Sequence, residues 1–88
     1  MGIRVRLPGA LRDAVGGASQ VDADGSNLGE LLQNLTRRFP ALRGRIFDAT
    51  GSIQRSVTVL VNGEDVLDLD GLYTDIHDAD DVVITAER

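Results

Sequence analysis

The most regular alternation of hydrophobic and polar residues lies between Ser56 and Val66, and it predicts a β-hairpin. Residues two apart share one face of an extended strand, so the first half of this stretch has one apolar face. That face is formed by Val57, Val59 and Val61. Asn62-Gly63 follows at once, and both residues tolerate the positive φ angles of a two-residue type I′ turn. Leu60 is also apolar, yet the alternation turns it away from the predicted core.

Two other alternating segments predict the first and last strands of a sheet. In the first, three apolar residues alternate with two arginines: Ile3, Arg4, Val5, Arg6 and Leu7. In the last, the apolar set is Val82, Ile84 and Ala86, with Val83 and Thr85 on the other face. A weaker strand is predicted at 18–21, after the Gly16-Gly17 turn. Because the first and last strands both alternate clearly and are well formed, we expect them to be neighbours in the middle of the sheet.

One long helix is predicted after the second strand. Asn27 is a good N-cap, and Glu30 stands at the spacing of a capping box. Apolar residues then recur at helical spacing, and Pro40 ends the helix. This apolar stripe consists of Leu28, Leu31, Leu32, Leu35 and Phe39. Shorter helical turns are predicted at 10–15 and 41–47, and the segment before the last strand has three apolar anchors, Leu69, Leu72 and Ile76.

The predicted order is strand, strand, helix, strand, strand, strand. It indicates an α+β fold of the β-grasp type, which resembles ubiquitin. We expect a mixed sheet of four to five strands with one main helix packed on one face. Residues 1–88 are expected to form a single domain of this kind, since 88 residues suffice for one modest core.

Composition narrows the classes of function. The net charge is −5, and an acidic domain is a poor binder of phosphate backbones, so no nucleic-acid partner is expected. The absence of cysteine excludes thiol chemistry, disulfides and cysteine-ligated metals. No segment is apolar enough for a membrane span and no export signal precedes the first strand, so the expected location is the cytoplasm and no membrane partner is expected.

The chain resembles a known family along its whole length. The residues that carry this resemblance are Val61-Asn-Gly-Glu-Asp-Val66, Gly71-Leu72, Thr74, Ile76, Asp78, Asp80 and Val82, together with the first strand, Gly16-Gly17 and the helix from Leu28 to Pro40. In order and spacing they are similar to the prokaryotic ubiquitin-like sulfur carriers. These are the small subunit of molybdopterin synthase and its relatives in thiamine and cysteine biosynthesis.

The resemblance implies a carrier rather than an enzyme, without catalytic residues, cofactor or metal. Family members end in Gly-Gly, and an ATP-dependent activating enzyme adenylates the terminal carboxylate before sulfur transfer makes a thiocarboxylate. The implied partners are this activating enzyme and a sulfur-accepting synthase subunit. Two glycines suit a narrow active site because a backbone without Cβ atoms threads easily.

The sequence departs from the family at its C-terminal end. Ala86, Glu87 and Arg88 stand where the tail leads to Gly-Gly, and the sequence stops about three residues short of that pair, roughly 10 Å of extended chain. Two explanations remain open: the sequence is truncated, or the chain is a paralogue that keeps the fold without the carrier chemistry.

A docking surface is predicted on the sheet face opposite the helix. Four residues define it: Leu60, Val83, Arg4 and Arg6. Single exposed apolar residues are common, but two neighbours rimmed by arginine favour a partner-binding surface. The one histidine, His77, is expected to be a solvated loop residue. The aspartates at 75, 78, 80 and 81 lack the spacing of a calcium loop and are expected to form turns and carry solvated charge.

The leading hypothesis is a sulfur carrier of the molybdopterin-synthase small-subunit type. The alternative is a tail-less interaction or regulatory module that binds a partner without carrying sulfur. A third hypothesis is a small-subunit scaffold that completes another chain's active site.

Overall fold

A five-stranded mixed sheet forms the framework of the molecule. The structure is a computed structural model that describes residues 2–86. The strands are β1 (Ile3–Arg6), β2 (Gln20–Ala23), β3 (Val57–Val61), β4 (Glu64–Asp65) and β5 (Asp81–Ala86). Their order across the sheet is β2-β1-β5-β3-β4, with β1 parallel to β5 and the other neighbours antiparallel. The predicted β-grasp arrangement and the central pairing of the first and last strands are therefore confirmed.

Three α-helices connect or cover the strands: α1 (Gly9–Arg12), α2 (Leu28–Arg38) and α3 (Arg43–Ile46). Single 3₁₀ turns lie at Asp13–Val15, Pro40–Leu42, Val66–Asp68 and Gly71–Tyr73. The helical turns predicted at 10–15 and 41–47 thus correspond to α1, α3 and the 3₁₀ turns beside them. Within residues 2–86, none of these helices has the length and apolar character needed to cross a membrane.

The start of α2 is capped by side chains, as the sequence predicts, but in a different pattern. Asn27 Oδ1 accepts a hydrogen bond from the Glu30 backbone N–H at 2.8 Å. The Glu30 carboxylate does not return to Asn27; its Oε1 accepts instead from the backbone N–H of Ser26 at 2.8 Å. Both contacts satisfy N–H groups that have no partner inside the helix, so they fix where α2 begins.

The core lies between α2 and the inner face of the sheet. The apolar side of α2 is fully buried except for Phe39, which is half-buried. From the sheet, the inward side chains of β1, β3 and β5 meet it: Ile3, Val5, Val57, Val59, Val61, Val82 and Ile84. Each such side chain contributes about 1.5–3 kcal/mol when fully buried. The predicted packing of one main helix on one face of the sheet is therefore confirmed.

The hairpin between β3 and β4 follows the sequence prediction in detail. Asn62 and Gly63 have φ angles of 54° and 85°, which a type I′ turn requires at both positions. In the order of the sheet, however, β3 is second from one edge, and β5 occupies the centre. β3 is an interior strand, flanked by β5 and β4. β5 is central because it pairs with both β1 and β3.

The hairpin turn is tied to the start of β5 by a pair of side chains. Asn62 Nδ2 donates to Asp80 Oδ1 at 3.1 Å, and Asn62 Oδ1 accepts from the Asp81 backbone N–H at 3.0 Å. Asp80 Oδ2 also accepts from the His77 backbone N–H at 2.8 Å. The hydrogen bond from Asn62, and then that from His77, lower the pKa of Asp80 below its usual value of 3.8.

Acid is expected to weaken this connection. Because the pKa of Asp80 is lower in the folded state, its contribution to stability is present above pH 3.8 and is lost as the pH falls through the folded-state pKa. The Asp80→Asn variant should therefore have a lower free energy of unfolding than the wild type at pH 7. This difference should disappear once the pH falls below the folded-state pKa of Asp80. Urea unfolding at several pH values measures it. Asp78→Asn is the matched control, and an equal pH dependence in both variants would contradict the assignment.

The second strand lies two residues later than the sequence predicts. The prediction placed it at 18–21, whereas β2 runs from Gln20 to Ala23. The Leu7 backbone N–H donates to the Ser19 carbonyl at 2.9 Å, and this bond sets Arg6 opposite Gln20. Ala23 is then the fully buried residue of β2, opposite Ile3.

Of the three predicted anchors before β5, one was wrong. Ile76 is buried and Leu72 packs half-buried against the core, but 39% of Leu69 is exposed. Leu69 lies between two 3₁₀ turns, and neither turn directs it inward.

Candidate functional site

The sheet face opposite α2, which we call the open face, is not covered by any helix among residues 2–86. Residues that alternate with the core positions form it: Arg4, Arg6, Gln20, Asp22, Thr58, Leu60, Asp81, Val83 and Thr85. Thr58, Leu60, Asp81 and Val83 are half-buried, and the others are exposed.

One row of residues crosses all five strands on this face. Arg6 lies opposite Gln20 on one side and Val83 on the other, Val83 lies opposite Leu60, and Leu60 lies opposite Asp65. Leu60 and Val83 are therefore direct cross-strand neighbours, with Cβ atoms about 4.5–5.5 Å apart in such pairs. The sequence prediction that these two side chains meet on the open face, beside Arg6, agrees with the register.

Charged side chains of both signs border this apolar pair. Arg6 Nε is 3.4 Å from Asp81 Oδ1, and both side chains are about half exposed, so the ion pair contributes little to stability. Arg4 lies opposite Asp22 on β2 and Asp81 on β5. Together these groups line a shallow depression of about 540 Å³ beside the apolar pair. The face can therefore offer an apolar contact together with hydrogen-bond donors and acceptors.

The sequence prediction of a purely arginine rim missed the acidic residues of the same face. Asp81 precedes Val82 and alternates with it, so the pattern of β5 already indicates that Asp81 faces outward. Asp22 was missed because the second strand was predicted two residues too early. Asp65 was missed because alternation across a two-residue strand gives no clear signal.

Ala86 stands where the family's tail leads to Gly-Gly, and it is also the last apolar residue of the predicted closing strand. In the structure it is the last residue of β5 and pairs with Val57 on β3. Glu87 and Arg88, the other two predicted tail residues, lie outside the described residues.

Of the remaining candidates, His77, Asp78 and Asp80 lie in the turn before β5. The turn role predicted for Asp75 and Asp81 was wrong, because Asp75 forms a bridge with Asn27 and Asp81 is the first residue of β5. His77 is exposed in the turn before β5, and Asp80 caps that turn through the His77 backbone N–H. Nowhere in residues 2–86 do three histidine or carboxylate side chains come together as a metal site would require.

Known proteins are similar to this chain in sequence and in fold. The sequence model of the ThiS family matches residues 5–85. The sulfur carrier protein CysO of Mycobacterium tuberculosis is 36% identical over 86 residues, covering 96% of this chain and 92% of that protein. Small archaeal modifier protein 3 of Haloferax volcanii is 33% identical over 87 residues, with the same two coverages.

A solved structure extends the similarity to three dimensions. A chain of the crystal structure of the Amycolatopsis orientalis BexX/CysO complex superposes with a TM-score of 0.91 at 28% identity, over 98% of this chain and 96% of that chain. The sequence match over residues 5–85 and the similarity in three dimensions agree with each other, and the chain belongs to the ThiS family.

Proposed function

We propose that this chain is a ubiquitin-like sulfur carrier that binds an ATP-dependent activating enzyme through the open face. The family match over residues 5–85 is the observation that carries the proposal. Support comes also from the relative named as a sulfur carrier protein, which aligns over 96% of this chain. In this role residues 1–88 act as one β-grasp domain that presents a C-terminal carboxylate and does no catalysis itself.

The position of β5 suits such a carrier. Its C-terminal residue, Ala86, is fixed opposite Val57, while β1 and β3 hold the strand on both sides. Any chain that continues from β5 therefore leaves a rigid sheet at a defined point. A partner bound to Leu60 and Val83 would contact the same strand that leads to the reactive end, so docking and delivery would be geometrically linked.

The chemistry requires only a carboxylate from the carrier. The activating enzyme would join this carboxylate to the adenylyl group of ATP with release of pyrophosphate, and a sulfur nucleophile would then displace AMP. The product is a thiocarboxylate, in which sulfur replaces one oxygen. Because the reacting end must enter the partner's active site, we expect the competent form to continue beyond Arg88 to Gly-Gly.

Intact-mass measurement tests the carrier chemistry. After incubation with the activating enzyme, ATP and a sulfide source, a chain extended to Gly-Gly is expected to gain about 16 Da, the mass difference between sulfur and oxygen. The chain that ends at Arg88 is expected to gain nothing, and omission of ATP should abolish the gain. The native reading frame beyond Arg88 should be determined alongside. An extended chain that binds the enzyme but never changes mass would refute the carrier proposal.

The acceptor of the sulfur is a separate question. A molybdopterin-synthase subunit stays our predicted acceptor from the sequence resemblance, although none of the relatives described above is named as a subunit of that enzyme. Incubating the thiocarboxylate form with candidate acceptor subunits and following the return to the carboxylate mass would identify the acceptor.

The second candidate is a tail-less interaction module. It is favoured by the cross-strand pair of Leu60 and Val83, which is present on the open face independently of any tail. If the reading frame ends at Arg88 and the chain is not adenylated, partner binding without sulfur transfer becomes the function to test.

A further inference from the structure

Acidic residues are concentrated in one part of the chain. Residues 62–81 contain eight carboxylates and no arginine, whereas the rest of the sequence contains nine arginines and six carboxylates. The eight are Glu64, Asp65, Asp68, Asp70, Asp75, Asp78, Asp80 and Asp81. Among residues 2–86, only Asp81 of this set forms an ion pair, with Arg6. This region therefore carries a strong local negative charge.

Exposed apolar side chains are concentrated in the same part. Within residues 2–86, three large apolar side chains are exposed, and all lie between β4 and β5: Leu67 (79%), Leu69 (39%) and Tyr73 (83%). Scattered exposed apolar residues need no explanation, but here they lie within seven residues of one another. Two other apolar residues of this segment do contact the core: Val66 is 1% exposed, and Leu72 packs against the core.

The segment that carries these residues is held firmly. Leu67 and Leu69 donate their backbone N–H groups to Asp65 Oδ1 and the Val66 carbonyl, at 2.9 and 3.0 Å. Further on, the Thr74 carbonyl accepts from the Leu28 N–H at the start of α2 at 2.9 Å. The exposed side chains therefore project from a fixed backbone.

The same segment approaches α2 very closely. A Cβ atom added at Gly29 on α2 would lie only 3.2 Å from the Leu72 carbonyl oxygen. The glycine therefore allows the second 3₁₀ turn to pack directly against the helix.

An apolar hollow opens beside Leu67. It has a volume of about 270 Å³, and its apolar lining includes Ile53, Val57, Val59, Val66 and Leu67. The hollow exists because β4 is only two residues long and pairs with just Leu60 and Val61 of β3, which leaves the first half of β3 without a strand on that side. Four polar residues also line it: Gln54, Arg55, Thr58 and Asp65.

We propose that this region docks a partner protein through a basic segment that contains apolar side chains. The proposed β4-edge surface consists of Leu67, Leu69, Tyr73, Asp65, Asp68, Asp70 and the hollow. An apolar side chain of the partner enters the hollow, and arginine or lysine side chains on either side meet the carboxylates. Tyrosine and leucine in such a setting supply contact area, and complementary charge speeds association and selects the partner.

This surface adjoins the open face at Asp65, extends beyond it and is more acidic. It lies at the β4 edge of the sheet and continues to the start of α2, whereas Leu60 and Val83 lie between the central strands. A second copy that used the same surface would place carboxylates against carboxylates, which disfavours a symmetric dimer. The proposal goes beyond sulfur carriage and holds whether or not the chain carries sulfur.

Peptide binding tests the proposal. The probe is a short fluorescein-labelled peptide in which a pair of leucines is flanked by arginines, and its affinity is measured by fluorescence anisotropy. Two control peptides replace either the leucines by serine or the arginines by glutamate. We expect the probe to bind at least about tenfold more tightly than either control, and added salt should weaken its binding.

Variants of the protein locate the site. Leu67→Ser and Tyr73→Ser are each expected to weaken binding of the probe about tenfold, and Asp68→Asn with Asp70→Asn should reduce its salt dependence. Circular dichroism checks that the variants are folded. The matched control is Asp24→Asn outside the acidic segment, which should bind like the wild type. Leu60→Ser tests whether the peptide binds the open face instead.

Three results would overturn the proposal. The first is equal affinity of the wild type and Leu67→Ser for the probe. The second is a loss of binding only in Leu60→Ser, which would assign the peptide to the open face. The third is a dimer, found by analytical ultracentrifugation, that Leu67→Ser dissociates, because a second copy would then be the occupant.

Discussion

Replacing Leu35 by alanine is expected to lower the free energy of unfolding by about 2–5 kcal/mol. Leu35 lies on α2 and is fully buried against the inner face of the sheet. The substitution removes apolar contacts and leaves a cavity that the surrounding strands fill only in part. A domain of this length has a total stability of roughly 4–13 kcal/mol, so the loss is a large share of it.

Urea unfolding followed by circular dichroism measures this change. Leu67→Ala is the matched control, because it is the same substitution at a position where 79% of the side chain is exposed. The control is expected to change stability by less than about 0.5 kcal/mol. If both variants lose the same free energy, the burial of α2 against the sheet is not what holds the fold together.

The second large effect is expected when the apolar pair of the open face is changed, and it concerns binding of the activating enzyme. Leu60→Asp should weaken binding of the activating enzyme by about 2 kcal/mol or more, roughly thirtyfold, because it places a charge where the open face offers its apolar contact. Val83→Asp should act in the same way, since Val83 is the cross-strand neighbour of Leu60. Asp65 and Asp81 near this pair would add repulsion to any new carboxylate there.

Titration calorimetry with the activating enzyme measures the affinity, and thermal unfolding confirms that each variant is folded. Gln33→Asp is the control: it adds the same charge at an exposed position of α2, on the opposite side of the sheet. Undiminished affinity in both Leu60→Asp and Val83→Asp would rule out the open face as the docking surface. Because this readout is binding and the carrier test is mass, either proposal can fail alone.

The sequence predicted the elements whose signals are local. The hairpin could be predicted because Asn62-Gly63 determines the turn and the valines determine which face of the strand is buried. The helix was readable because Asn27 caps it and Pro40 ends it. The position of β2 was not readable, since it depends on the bond between Leu7 and Ser19 across the turn.

Some residues of the two proposed docking surfaces could be predicted from the sequence, and others could not. Leu60 and Val83 were predicted as neighbours because regular strands define their own faces. The exposure of Leu67, Leu69 and Tyr73 was not predicted, because consecutive 3₁₀ turns have no simple period that sorts inward from outward positions. The concentration of carboxylates in residues 62–81 is visible in the sequence. It indicates a docking surface only together with the apolar side chains that the fold exposes in the same segment.

A force applied to the C-terminal end of β5 would act along a strand that is hydrogen-bonded to β1 on one side and β3 on the other. Both ladders would be loaded in shear, and many bonds would have to break together before the core opened. An unfolding machine that pulls from this end would therefore have to break both ladders of β5 before the core opened. An edge strand such as β2, with a single ladder, would separate more easily. The strand from which cargo would be delivered is thus also the one best protected against extraction.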